Sequence, residues 1–222
     1  MSGVLPAGAA IVDHPWERRQ PLAWRAAELV ASVVVVGFAL VVGFAVPLVL
    51  PWALAGAGRV ALVRARGGAS HPLADVVAGV REDGRAGIVA ALLAACLALP
   101  LGLAALAVGS LADPSLGAGM RLVLLPVWVV ACAWGLVALL VGSATATPLR
   151  VVVPGSLAVV VGSPGRSFVA GLLGMAGPVT VLAGLDPAVA AFFAGASFIA
   201  AVRVAWPAVD RAAGEATAGS VG

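Results

Sequence analysis

The chain has 222 residues, 62% of them hydrophobic and 10% charged, with a mean hydropathy of +1.12. A soluble domain carries about a quarter charged residues, so too little polar surface exists here to face water on all sides, and lipid must surround most of the chain. The net charge is +3, but all 13 basic residues are Arg and lie spread over segment ends, which argues against a nucleic-acid surface.

Residues 1–25 are polar and punctuated by Pro6, Pro15 and Pro21, and read as a cytoplasmic tail with Trp16 and Trp24 as interfacial anchors. The apolar run before Ala53-Leu54-Ala55 is too long for a signal-peptide core, so it reads as a retained anchor. From Leu29 to Val63 only Arg59 is charged. That run exceeds one ~30 Å hydrocarbon core, and Pro47 and Pro51 should break it into spans over about 28–46 and 51–65, the second short.

The most polar stretch is 64–85, with a short surface helix expected from Asp75 to Arg85. A third span is expected over 86–109, kinked at Pro100, and a fourth over 120–142, with Pro126 near its start. Leu149–Val161 is apolar but only about 13 residues long and interrupted by Pro154, which suits an interfacial or re-entrant segment. Spans over 168–184 and 187–206 form a second hairpin turned at Asp186-Pro187, and 207–222 reads as a disordered cytoplasmic tail.

The expected fold is therefore an all-α membrane protein, a bundle of about six transmembrane helices arranged as hairpins within one domain, 26–206. With both termini cytoplasmic, the inner side receives Arg18, Arg19, Arg25, Arg64, Arg66, Arg81, Arg85, Arg150, Arg166, Arg203 and Arg211, and the outer side only Arg121. The all-Arg basic set, with its excess of Ala, Val and Gly, reads as the codon bias of a GC-rich bacterial genome, so the expected location is a bacterial plasma membrane.

Arg59 is the first candidate site residue, because a charge within the hydrocarbon costs at least ~2.5 kcal/mol unless it is paired or snorkels. Glu28, near the inner end of the first span, is its expected partner in an inner-leaflet polar pair; the competing reading is an Arg that snorkels and fixes topology. His71 and Asp75 lack a second His or a Cys to complete a metal site. Cys96 and Cys132 lie in apolar runs without CxxC spacing and read as packing residues. Ser163 and Ser167 have no His or Lys base nearby, and no catalytic, metal-binding or cofactor constellation is expected.

Glycines recur at seven-residue spacing, as in Gly102 with Gly109 and Gly135 with Gly142, and Gly171, Gly174 and Gly177 stripe the fifth span. These mark faces where helices approach closely. Kinks at Pro100, Pro126 and Pro178 could line a cavity, but the spans lack the buried acids, Asn or Gln of a solute path.

Val46-Pro47-Leu48-Val49-Leu50-Pro51-Trp52-Ala53-Leu54-Ala55-Gly56-Ala57-Gly58-Arg59 leads into Leu62-Val63-Arg64 and a polar loop through Val80-Arg81-Glu82-Asp83. This layout resembles the YesL-like family of small bacterial membrane proteins, in which a Pro-containing turn precedes a Gly/Ala-rich second helix and a polar cytoplasmic loop. Trp52 stands where that family has a Thr, and the loop lacks the family's aromatic residues. The resemblance covers about 22–206. It implies a non-enzymatic accessory to a carbohydrate or other solute transport system, with the bilayer and other transport subunits as partners and no catalytic residues to carry over. A small transporter acting alone and a scaffold working through 64–85 are the alternatives.

Overall fold

The computed structural model describes residues 22–68, 71–108, 114–145, 149–182 and 186–218. All regular structure among them is helical: α1 (Leu22–Ala45), α2 (Leu50–Ala65), α3 (Pro72–Glu82), α4 (Gly84–Leu93), α5 (Leu99–Ala107), α6 (Pro114–Thr145), α7 (Leu149–Gly162), α8 (Pro164–Leu182) and α9 (Pro187–Ala218). Four helical stretches are long and apolar enough to cross a membrane: Leu22–Ala45, Gly84–Ala104, Gly117–Ala144 and Pro187–Gly214. Counting the bent pair α7–α8 as one crossing makes five.

Helix ends follow the local chemistry. α2 stops in a Schellman turn, in which Gly67 takes φ +79°, its amide donates to the Arg64 carbonyl and the Gly68 amide to that of Val63. α3 opens with Pro72 at its first position, has Asp75 in its first turn and Arg81 in its last, so both ends suit the helix dipole. Asp186 caps α9 through its side-chain oxygen, 2.9 Å from the Ala188 amide, with Pro187 at the first helical position.

Between α4 and α5 lies a π-helical turn, Ala94–Ala98, immediately before Pro100. Pro100 has no amide to give the Cys96 carbonyl, and the widened turn absorbs the missing bond without ending the helix. The sequence placed a kink at this proline.

α9 packs on α1 and α8, α2 on α1, α3 and α4, and α6 on α4, α7 and α8. The main core runs through Val36, Val60, Leu62, Leu139, Leu140, Val202 and Val209. At most half of each candidate span is buried within the protein, and Phe38, Leu103, Leu122, Val123 and Val161 stand largely exposed. Apolar side chains bared to that degree need an apolar solvent.

The second expected span, 51–65, is helical as α2 and short as expected, its 16 residues extending about 24 Å. Two other expectations change. The expected segment 149–161 and span 168–184 are not independent, because α7 runs to Gly162 and meets α8 at 109° across Ser163-Pro164. The residue before a proline disfavours helical backbone, which sets the elbow there. The stretch after 206 is not a disordered tail from its start, since α9 continues through Pro207 to Ala218. That proline orphans only the Arg203 carbonyl.

Candidate functional site

The charged residues of α1–α4 gather at one end of the bundle. On α1, Trp24, Glu28 and Ser32 are spaced by four and share a helix face. The Trp24 indole donates to Glu28 Oε1 at 2.9 Å, and the Ser32 hydroxyl donates to the Glu28 carbonyl at 2.8 Å. Arg64 of α2 completes the set, its Nε donating to Ser32 Oγ at 3.0 Å and its Nη1 to Glu28 Oε2 at 3.2 Å. Both charges are nearly buried, Arg64 at 10% and Glu28 at 18% side-chain exposure, so the pair is shielded from the screening that weakens surface ion pairs.

The expected Glu28–Arg59 pair is therefore replaced by Glu28–Arg64. The reason is helix register. Counting from the middle of the 46–49 turn, Glu28 lies about 20 residues back, Arg64 about 16 forward and Arg59 about 11, leaving Arg59 too near the turn by more than two helical turns.

Arg59 turns instead to the end of α3, with Nη2 3.2 Å from Glu82 Oε2 and Nη1 3.6 Å from Asp83 Oδ2. Glu82 is exposed, whereas Asp83 is 7% exposed and its Oδ2 makes no hydrogen bond. Burial pushes the Asp83 carboxyl up to about 6; the Arg59 charge opposes this in part. Arg66, just beyond α2, lies with its guanidinium 4.5 Å from the centre of the Trp206 ring of α9. Burial and the like charge of Arg59 draw Arg66 below its usual value, with Asp210 and Asp83 opposing.

This end is thus a charged layer shared by α1, α2, the α3–α4 junction and α9. It can hold helices in register and bind or release a proton at Asp83. Sequence reasoning found Arg59 and Glu28 but missed their partners, although the Trp24, Glu28, Ser32 spacing was a legible signal for a polar face. A second buried polar link, Trp134 Nε1 to Ser156 Oγ at 2.9 Å, ties α6 to α7.

Of the glycines singled out, Gly102 lies against the Trp128 ring, Gly142 against Ala86, and Gly171 against the Val129 carbonyl. Gly135 has only ordinary contact with Ala90 and Gly174 faces open space. Gly109 and the surroundings of Gly177 lie outside the described residues. The tightest crossing was not anticipated: Gly37 of α1 meets the Ala191 carbonyl of α9, and Gly195 of α9 meets the Val33 carbonyl of α1. Neither has another glycine three, four or seven residues away, so no spacing pattern flags it.

His71 is exposed and precedes α3 without a side-chain cap bond. Among the described residues no three His, Cys, Asp or Glu side chains converge as a metal site. A shallow groove of about 460 Å³ runs along α3, lined by Leu73, Ala74, Val77, Ala78, Arg81 and Glu82. No family model, curated protein or solved structure matches this chain.

Proposed function

We propose that this chain is a non-enzymatic, multi-pass protein of a bacterial plasma membrane that serves as an accessory to a transport system for carbohydrates or other solutes. The observation that carries this reading is the apolar interior formed by the described residues. Ala55, Ala57, Val60, Ala61, Ala133, Ala138, Leu140 and Val202 are fully buried, and among the described residues the only buried polar or charged side chains are Ser32, Asp83, Ser156 and Ser167. A carrier needs polar groups converging near the bilayer midplane, and a bundle packed with small apolar side chains offers them little room. The YesL-like layout of residues 46–64 agrees with this reading, and α3 leaves Leu73 and Val77 bare beside Arg81 for a partner subunit to cover.

The proposed topology has six crossings, with α2 and α8 completing the four longer spans and both termini cytoplasmic. The meeting of the start of α1, the end of α2 and the later part of α9, through Glu28–Arg64 and Arg66–Trp206, supports an even number. The positive-inside rule then turns this Arg-rich end inward.

The test is photo-crosslinking from Leu73 and Val77 in intact membranes, followed by co-purification. Recovery of transporter subunits is the expected result. Solute uptake by the purified chain alone in liposomes would replace this account with the second reading, a small transporter. That reading draws on the π-helical turn before Pro100 and the 109° elbow between α7 and α8, since broken helices line many solute paths.

A further inference from the structure

The joint between α3 and α4 is one residue, Asp83. Its amide donates to the Gly79 carbonyl at 2.8 Å in the last turn of α3, and its carbonyl accepts from the Gly87 amide at 3.1 Å in the first turn of α4. Both flanking glycines are wedged against α2, Gly79 beside the Ala55 carbonyl and Gly87 against that of Pro51. The side chain of the joint is therefore carried into the packed interface.

There Asp83 is nine-tenths buried and one carboxyl oxygen, Oδ2, has no hydrogen bond, since Arg59 stands 3.6 Å away and is shared with Glu82. The charges that reach Asp83 are Arg59 of α2, Arg66 just beyond α2, and Glu82 of α3. From α9, Asp210 acts on Arg66, and Glu28 of α1 is held by Arg64. α6 meets α4 next to the joint through Gly142 and Ala86, and its described side chains there, Gly142 to Ala144, carry no charge. One shared, partly exposed guanidinium is weak compensation for a buried carboxylate.

We propose that Asp83 is a proton-binding site and that a bound proton keeps the α3–α4 joint packed against α2. Any conformation that returns this carboxyl to water also returns its affinity toward the ordinary value of 3.8, whereas the packed joint holds its proton to about 6. Linkage gives the sign: the packed state binds more protons, so opening becomes easier as pH rises from 3.8 to 6 and levels off above. Between pH 5 and 7.5 the open fraction rises about tenfold. The site does not rest on the accessory reading, because it is measured on the chain alone.

The experiment uses the full chain, labelled with ¹³C-aspartate, in phosphatidylcholine–phosphatidylglycerol vesicles. Infrared spectra should show one aspartic acid losing its proton near pH 6, a band absent from Asp83→Asn. Should that variant fail to insert, Asp83→Glu assigns the band by removing it from the labelled set. Hydrogen exchange at the Gly87 amide, taken relative to the Ser167 amide, should rise about tenfold from pH 5 to 7.5 in the native chain and stay level in Asp83→Asn. An Asp83 already ionised at pH 5 overturns the site, and a level exchange ratio in the native chain overturns its hold on the joint.

Discussion

The Glu28–Arg64 contact shows how a charge is kept within an apolar bundle. Glu28 is held by Trp24 of its own helix and by Arg64 of α2, so losing either charge strands the other in a largely buried interface. Breaking a buried pair on one side costs about 3–5 kcal/mol, while removing both charges is far cheaper. Arg64→Met is thus expected to cost about 3 kcal/mol and Glu28→Gln with Arg64→Met less than half of that, as read by unfolding in mild detergent. Exchanging Glu28 with Arg59 should give no mutual rescue. The sequence marked Arg59 as a charge that must either pair or snorkel, since a lone charge in an apolar run is conspicuous. It did not reveal which carboxylate, because Glu82 and Asp83 reach Arg59 only through the path of the chain between α2 and α4.

At the scale of helices, glycine does the work that large apolar side chains do in a soluble core. Gly37 and Gly195 let the backbones of α1 and α9 touch, and Gly56 and Gly79 do the same for α2 and α3. Gly37→Ala or Gly195→Ala should cost at least about 1–3 kcal/mol through overpacking. Gly155→Ala and Gly162→Ala meet nothing within 4 Å and should be neutral or stabilising, by up to about 1 kcal/mol. Thermal unfolding of the four variants side by side checks the contrast. Helix existence was legible from apolar runs and prolines, and the breaks at Pro47 and Asp186-Pro187 and the irregular turn before Pro100 appear where the residues demand them. Helix length was less legible. α9 runs through Pro207, because one missing amide does not outweigh the Ala-rich helical turns on either side of it. The elbow at Ser163-Pro164 joins two segments that hydropathy alone treats separately.

For the whole molecule, the decisive fact is the combination of small buried residues inside and bare aliphatic and aromatic residues outside. Water would not tolerate that exterior, and lipid covers it at no cost. The same solvent explains why the charges of α1–α4 collect toward one end of the helices and form a layer there. Thiol accessibility tests this most directly, in a chain whose Cys96 and Cys132 have been replaced and which carries one new cysteine at a time. Phe38→Cys, 66% exposed about two-thirds of the way along α1, should resist a water-soluble maleimide until detergent is added. Leu48→Cys, in the turn after α1, should react on intact cells, and His71→Cys only once the membrane is opened. Rapid labelling of Phe38→Cys without detergent would contradict the account, because it would put water where these helices require lipid.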